Sequence, residues 1–198
     1  MRPTMDMPVR DESDGSAKPA GSAAPTLFQQ VLRAPFFTLP DALRALHGAH
    51  GAGDYAGRVD VVRGRHPLAR WCARIAGLPP DMQGAPLRVG FRADAGGETW
   101  RRDFNGFPMT SRLRCRDGLL HERLGPLRFR FRLHIHEHAL YWRVAGVRLL
   151  WLLPLPARMF SGVHCREREQ DGRYAFRVEA VLPLVGLLVR YEGWLERA

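Results

Sequence analysis

Residues Leu127 to His136 read Leu-Arg-Phe-Arg-Phe-Arg-Leu-His-Ile-His, an unbroken alternation of apolar and polar side chains. In an extended strand successive side chains point to opposite faces, so the apolar residues share one face and the arginines and histidines share the other. A helix would spread the apolar residues around its whole circumference. The stretch therefore predicts a β-strand that fixes the inside and the outside of a sheet.

The chain from Pro86 onward is punctuated by dipeptides that suit two-residue hairpin loops, because their residues tolerate a positive φ. These dipeptides are Gly96-Gly97, Asn105-Gly106, Asp117-Gly118 and Asp171-Gly172. With such loops, and a turn at Glu137-His138, the expected cross-strand neighbours are Phe91 and Arg102, Val89 and Phe104, Trp100 and Ser111, Leu113 and Glu122, Leu133 and Trp142, and Glu167 and Phe176.

Independent hairpins then agree on one inner and one outer face, which is stronger evidence than any single alternation. The inner face collects Val89, Phe91, Trp100, Phe104, Phe107, Met109, Leu113, Leu120, Leu124, Phe129, Phe131, Leu133, Trp142 and Val144. The outer face collects Arg101, Arg112, Arg114, His121, Arg128, Arg130 and Arg132.

The part of the chain before Pro86 is mainly helical in pattern. Helices are predicted at residues 27–32, 39–46 and 67–76, with a first strand at residues 58–63. The third helix carries an apolar stripe that we expect in the core: Leu68, Trp71, Cys72 and Ile75. Residues 146–161 predict a crossing or lid segment with a helical turn near Ala157, and the last strands are predicted at residues 162–170, 173–182 and 187–196.

The predicted fold class is α+β. About eight to ten antiparallel strands must curl or close, because strands twist and unpaired edges are costly. We therefore predict a long curved antiparallel sheet or partial barrel. Two or three N-terminal helices should pack on its concave face or at its mouth.

The amino-acid composition indicates the charge, the cellular location and the partners to expect. The 198 residues carry a formal net charge of +10, supplied by arginine except for the single lysine, Lys18. The arginines are dispersed, which favours a solvated surface over a dedicated polyanion site. Three cysteines without a CxxC pair indicate a reducing compartment, and no run approaches the ~20 apolar residues of a membrane helix. We predict a disordered tail at residues 1–25, a single domain at residues 26–198, and a cytoplasmic location.

Three charged residues fall on the apolar face: Arg102, Glu122 and Glu167. A buried charge costs several kcal/mol unless it is paired, so these groups should pair or line a wet cavity. Along the strands Arg102 and Glu122 would lie roughly 10–15 Å apart, so direct pairing needs a curved sheet. Two interpretations stay open, a polar anchor in an apolar ligand cavity and an internal salt bridge that fixes register.

The sequence gives only weak indications of metal, cofactor or nucleic-acid binding. His134 and His136 share a face about 7 Å apart, a spacing that can chelate a metal, yet they continue the outer cationic stripe. The sequence contains no P-loop, GxSxG or HExxH motif, and we expect no cofactor and no metal. Nucleic acid is not an expected partner, because Phe129 and Phe131 point away from the arginines.

Several segments resemble a bacterial family of domains of unknown function, number 4166. They are 27–32, 39–40 with 43–47, 64–65 with 67–69, 118–120 with 122–127, 166–169 with 171–174, and 182–195. The resemblance implies a module found alone or behind NAD(P)-binding reductase-like domains, with no established activity. It therefore suggests association with a reductase-like domain protein. This sequence does not contain the reductase-like domain, so any dehydrogenase function would belong to that domain.

Three functional hypotheses follow. The first is a binding module for a hydrophobic or lipid-like small molecule, anchored by Arg102, Glu122 and Glu167 and lined by Trp100, Phe129, Phe131 and Trp142. The second is an enzyme in which Glu167 or Glu122 is a general acid or base, which requires an unpaired carboxylate facing a wet pocket. The third is an interaction module whose cationic face docks on an acidic partner or an anionic membrane surface through Arg128, Arg130 and Arg132.

Overall fold

A computed structural model describes residues 24–94, 96–150 and 152–198, so most of the predicted tail at residues 1–25 lies outside the described residues. The helices are α1 (Leu27–Leu32), α2 (Asp41–His47) and α3 (Pro67–Ile75), with short 3-10 helices at Ala34–Thr38 and Ala157–Phe160. The strands are β1 (Ala52–Arg63), β2 (Met82–Asp94), β3 (Gly97–Phe104), β4 (Phe107–Arg116), β5 (Leu119–Leu124), β6 (Leu127–His136), β7 (Ala139–Leu149), β8 (Leu153–Leu155), β9 (Gly162–Gln170), β10 (Arg173–Leu182) and β11 (Gly186–Arg197).

The strands form one antiparallel sheet in the order β6-β5-β4-β3-β2-β1-β11-β10-β9-β7-β8. An additional pairing of β6 with β7 closes the sheet on itself, and β8 extends it beside β7. The result is a closed ten-stranded barrel with a few short helices. This confirms the predicted α+β class, and the partial barrel of the prediction is a complete one.

Hairpin registers follow the turn dipeptides closely. Leu113 lies opposite Glu122, and Glu167 lies opposite Phe176, as predicted. The predicted register between β2 and β3 is wrong, since Phe91 lies opposite Trp100 and not opposite Arg102. The cause is a loop one residue earlier than expected, because Asp94 already pairs with Gly97. The partner shifts by two positions, so every side chain keeps its face.

The first strand starts earlier than predicted, at Ala52 instead of residue 58. Gly53 and Gly57 lie within it, at two positions where a residue of an adjacent strand leaves no room for a side chain. A Cβ on Gly53 would lie 2.5 Å from the Phe91 ring, and one on Gly57 would lie 1.8 Å from the Trp194 carbonyl oxygen. These glycines therefore belong to a packed strand and not to a loop.

One end of the barrel, here called the capped end, is closed by α1 and α2. Helix α1 contacts β4 and β6, and α2 contacts β9 and β10. Thr26 caps α1 by accepting a hydrogen bond from the backbone N–H of Gln29. Phe28, fully buried, reaches the barrel interior, where its ring centroid lies 5.7 Å from that of Trp142. The prediction of N-terminal helices at the mouth is confirmed for α1 and α2.

Helix α3 lies at the opposite end, here called the α3 end. It begins beside β11, where the Gly64 N–H donates to the Leu188 carbonyl, and it ends with the Ala76 carbonyl near the β5–β6 turn at Gly125. Its buried side chains are Ala69 and Ala73. Within the described residues, no helix is long and apolar enough to cross a bilayer.

The predicted burial of the α3 stripe is wrong. Leu68, Trp71 and Ile75 are 45, 61 and 48% exposed, and Cys72 is only partly buried. Close backbone packing explains this outcome, because α3 meets β11 where a Cβ on Gly64 would lie 1.6 Å from the Leu187 carbonyl oxygen. Only the small alanine face fits such an approach, so the larger apolar face points to solvent.

Candidate functional site

The barrel encloses a cavity on its apolar inner face. Its volume is about 100 Å³, which is more than one water needs and less than the roughly 300–1,000 Å³ of pockets for drug-sized ligands. The lining residues come from nearly every strand of the ring and are mostly apolar. They are Leu87, Val89, Trp100, Arg102, Phe104, Glu122, Phe131, Trp142, Val163, His164, Cys165, Glu167, Tyr174, Phe176, Val178, Tyr191 and Leu195.

A buried histidine–glutamate pair closes the cavity toward the capped end. His47, the last residue of α2, places Nε2 2.6 Å from Oε2 of Glu167 on β9, and both side chains are almost fully buried. The imidazole also packs on Phe28, with ring centroids 3.7 Å apart. Among the residues that the structure describes, Nδ1 of His47 has no hydrogen-bond partner.

Sequence reasoning missed His47, although a signal was present. His47 follows Leu43 by four residues, so the two side chains share one face of α2. A polar side chain on the buried face of a capping helix points toward the barrel interior. The missing information was which strand this helix covers.

Arg102 and Glu122 form a second polar group on the cavity wall. An Nη of Arg102 lies 3.8 Å from Oε1 of Glu122, and another Nη donates to Oγ of Ser111 at 2.8 Å. The guanidinium also lies 5.4 Å from the centroid of the Trp100 ring. Curvature explains why these residues meet, since side chains from β3 and β5 converge across β4 on the concave side of the sheet.

The neutral polar groups in the cavity stay protonated at ordinary pH. Burial raises the pKa of the Cys165 thiol well above its usual value, and the Glu167 charge acts in the same direction. Burial followed by Glu167 raises the pKa of Tyr174, and burial raises that of Tyr191 against the influence of Arg102. Cys165 is therefore a thiol and not a nucleophilic thiolate, and both phenols can donate hydrogen bonds.

The sequence profile of a domain of unknown function, DUF4166, matches residues 39–195. The chain belongs to the DUF4166 family. A solved structure titled as Rv2717c from M. tuberculosis is similar to this DUF4166 domain at 16% identity and a TM-score of 0.41, covering 81% of this chain and 99% of that one. No curated protein matches the sequence.

The structure brings together six of the seven ligand residues that the sequence predicted for this DUF4166 domain. They are Trp100, Arg102, Glu122, Phe131, Trp142 and Glu167, all on the wall of one cavity. Phe129 is buried but lies outside that wall, stacked on Phe131 at 5.4 Å and edge-on to Phe160 at 6.1 Å between ring centroids.

The enzyme hypothesis required a carboxylate without a partner. Glu167 is paired with His47, and Glu122 lies beside Arg102. Neither glutamate meets the requirement, so the geometry does not favour the alternative hypothesis that one of them is a general acid or base.

The outer face of the DUF4166 barrel carries the remaining predicted features. Arg130 and Arg132 are exposed. The His134 ring stacks on Tyr141 with centroids 5.2 Å apart, and burial, then Arg143 and His136, lower its pKa. In residues 24–94, 96–150 and 152–198, no three His, Cys, Asp or Glu side chains group as metal ligands.

Glu98 is a further buried acid, which sequence reasoning did not identify. It is 4% exposed, and its Oε2 accepts a hydrogen bond from Nε1 of Trp100 at 2.8 Å. Burial raises the pKa of this carboxyl, against the hydrogen bond from Trp100 and the influence of His47. The signal was available, because Glu98 alternates with Trp100 on the inner face of β3.

A Glu98→Gln substitution should make stability less dependent on pH. A carboxyl with a raised folded-state pKa costs stability once pH exceeds its unfolded value of about 4.3, and the cost is complete above the folded-state pKa. The variant should therefore be more stable than the parent at pH 7 and equal to it below about pH 4, since the amide oxygen still accepts from Trp100. Urea unfolding across this pH range measures the difference.

The matched control is Glu137→Gln, at an exposed carboxylate in the β6–β7 turn. It should leave the pH profile unchanged. A Glu98→Gln variant that is less stable than the parent at pH 7 would show that the ionised carboxylate is stabilised by its neighbours and not penalised by burial.

Proposed function

We propose that this DUF4166 domain binds a hydrophobic small molecule inside the barrel, with an oxygen-bearing end of the ligand hydrogen-bonded to Arg102. One observation carries the proposal: a mainly apolar cavity holds a guanidinium on its wall. Such a combination of apolar lining and a few placed polar groups is typical of ligand pockets. The Arg102 guanidinium, whose charge is partly offset by Glu122, selects a ligand oxygen that accepts hydrogen bonds, such as that of a carboxyl or carbonyl group.

Arg102 has hydrogen-bonding capacity left for a ligand. A guanidinium carries five N–H donors. Ser111 on β4 and Glu122 on β5 approach the two Nη atoms of the Arg102 guanidinium from one side. The separation of 3.8 Å between Nη and Oε1 of Glu122 is longer than a hydrogen bond. A ligand oxygen could accept a hydrogen bond from one of the remaining N–H groups of Arg102. The hydroxyl of Tyr191, which also lines the cavity, is a further donor.

The rest of the wall supplies the apolar contacts. Trp100, Phe131 and Trp142 contribute large aromatic surfaces, and Val163, Phe176 and Val178 add apolar contacts from β9 and β10. Burying apolar ligand surface against such a wall contributes about 25 cal/mol per Å². Affinity should therefore rise with the apolar length of the ligand until the cavity is full.

Filling the cavity should abolish binding. We expect Val178→Phe to weaken binding of a fluorescent fatty acid by tenfold or more, because the added ring occupies ligand space. Val62→Phe is the control, since it adds the same ring to an exposed side chain outside the cavity wall. Fluorescence titration and native mass spectrometry of the purified protein measure both variants.

Equal binding by the Val178→Phe variant, confirmed as folded by circular dichroism, would contradict an interior site. If that variant does not fold, Val163→Phe at a second wall position provides the same comparison. Absence of any copurifying ligand together with absence of probe binding by the parent protein would contradict the proposal as a whole.

The polar end can be tested separately with the double variant Arg102→Gln/Glu122→Gln. Replacing both partners avoids leaving a buried charge alone. A hydrogen bond to a charged group contributes roughly 1.5–3 kcal/mol, so the preference for a fluorescent fatty acid over the matching alcohol should fall by about tenfold or more. An unchanged preference would show that Arg102 does not contact the ligand.

A further inference from the structure

Large apolar side chains are exposed mainly at the α3 end of the barrel. They come from four segments at that end: α3, the β7–β8 connection, the 3-10 helix after β8, and the β10–β11 turn. The residues are Leu68, Trp71, Ile75, Leu150, Leu152, Leu153, Met159 and Leu184. Two hydrogen bonds tie the end together, from Leu150 N–H to the Pro126 carbonyl and from Gly64 N–H to the Leu188 carbonyl.

The same end carries a one-sided charge. Residues 61–80, 147–160 and 180–191 contain arginines and no acidic residue, and the Asp81 carboxylate that follows α3 accepts a hydrogen bond from the Arg63 backbone N–H. Arg65, Arg70, Arg74, Arg148 and Arg158 are all exposed.

Helix α3 has the pattern of an interfacial helix. At 100° per residue, Leu68, Trp71 and Ile75 form one face, and Arg70 and Arg74 lie between that face and the buried alanines. Helices that rest on bilayers combine such an apolar face, often containing Trp, with adjacent basic residues. The arginines can extend to lipid phosphates while the apolar face enters the headgroup region.

We propose that the α3 end docks on the surface of an anionic lipid bilayer. Charge complementarity identifies the partner, because an apolar and predominantly cationic end matches a surface that is apolar beneath a layer of phosphates. A second copy of the chain fits less well. Symmetric self-association would place arginines against arginines, which is repulsive. This inference is independent of the cavity ligand.

The docking surface differs from the cationic wall considered from the sequence. That wall, at Arg130 and Arg132, has charge without exposed apolar residues nearby on its strand, since the apolar residues of β6 face inward. Each surface has two exposed arginines that can be replaced by glutamate, so the two double variants form a matched pair.

Vesicle flotation tests the proposal with phosphatidylcholine vesicles that contain or lack phosphatidylglycerol. The parent protein should float only with the anionic vesicles. Each basic residue near such a surface contributes about 1 kcal/mol, so Arg70→Glu/Arg74→Glu should reduce partitioning by roughly 25-fold or more. Arg130→Glu/Arg132→Glu changes the net charge equally and should retain most of the binding.

The apolar contribution is measured with Leu68→Ser/Trp71→Ser. This pair should lower partitioning without changing thermal stability, because both side chains are exposed in the free protein. The parent should also show a blue shift of tryptophan emission on binding that Trp71→Phe reduces.

Several results would overturn the proposal. They are absence of parent binding to anionic vesicles, equal loss in the two arginine variants, and loss only in Arg130→Glu/Arg132→Glu. Concentration-dependent dimerisation that requires Trp71, without vesicle binding, would identify a second copy as the occupant. A failure here leaves cavity binding untouched, because Val178→Phe changes no residue of the α3 end.

Discussion

Replacing His47 with alanine is expected to lower the free energy of unfolding by about 3–5 kcal/mol, the cost of breaking a buried pair by removing one partner. Glu167 would lose the hydrogen bond at 2.6 Å from Nε2 of His47 in the barrel interior, where its carboxylate is almost fully buried. The imidazole also packs against Phe28, Trp100 and Tyr174, so its removal leaves a gap among aromatic rings. Urea unfolding at pH 7 measures the loss.

The control for this experiment is His50→Ala. His50 is exposed, and its Nε2 contacts only the Ala24 carbonyl at 2.8 Å among the contacts found in the described residues. Its removal should change stability by about 0.5 kcal/mol or less, as for most surface substitutions. Adding Glu167→Gln to His47→Ala should recover part of the loss, because the stranded carboxyl is then an uncharged amide. Equal costs for His47→Ala and His50→Ala would contradict a structural role for the pair.

The sequence was sufficient for the strands, their faces and most hairpin registers. Turn dipeptides such as Asn105-Gly106 and Asp117-Gly118 adopt the positive φ that the hairpins require, and alternation fixes which side chains face inward. Even the register error at Gly96-Gly97 preserved the faces, since it moved the partner by two residues. These features are local, so a single sequence contains them.

Closure of the barrel and the orientation of α3 depend on contacts between distant residues. The pairing of β6 with β7 joins neighbours in sequence, but the pairing of β1 with β11 brings the two ends of the domain together. Periodicity identifies an apolar stripe on α3 without showing whether it faces the core. The stripe faces solvent because the alanine face alone fits against β11.

The candidate site was partly predictable for the same reason. Alternation placed Arg102, Glu122 and Glu167 on the inner face, and the structure puts all three on the cavity wall. The partner of Glu167 could not be found this way, because His47 lies 120 residues away on a helix that caps the barrel. Glu98 could have been found, since it obeys the same alternation as its neighbours.

The junction of the first and last strands predicts a second large effect. Gly57 on β1 pairs with Leu195 on β11, and a Cβ at Gly57 would lie 1.8 Å from the Trp194 carbonyl oxygen. The atom that must yield belongs to the backbone, so rotation of a side chain cannot relieve the contact. Gly57→Ala should lower the free energy of unfolding by about 3 kcal/mol, at the upper end of the usual cost of overpacking, because β1 and β11 must move apart.

Gly90→Ala is the matched control on the adjacent strand, β2. A Cβ at Gly90 meets only the Asp54 carboxylate, at 2.9 Å, and this exposed side chain can rotate away. This substitution should be neutral or slightly stabilising, since alanine restricts the unfolded chain. Hydrogen exchange should locate the difference, with faster exchange of β1 and β11 amides in Gly57→Ala and unchanged exchange in Gly90→Ala. Equal stability of the two variants would show that the β1–β11 junction has room for a side chain, and that closure of the barrel does not depend on glycine at this position.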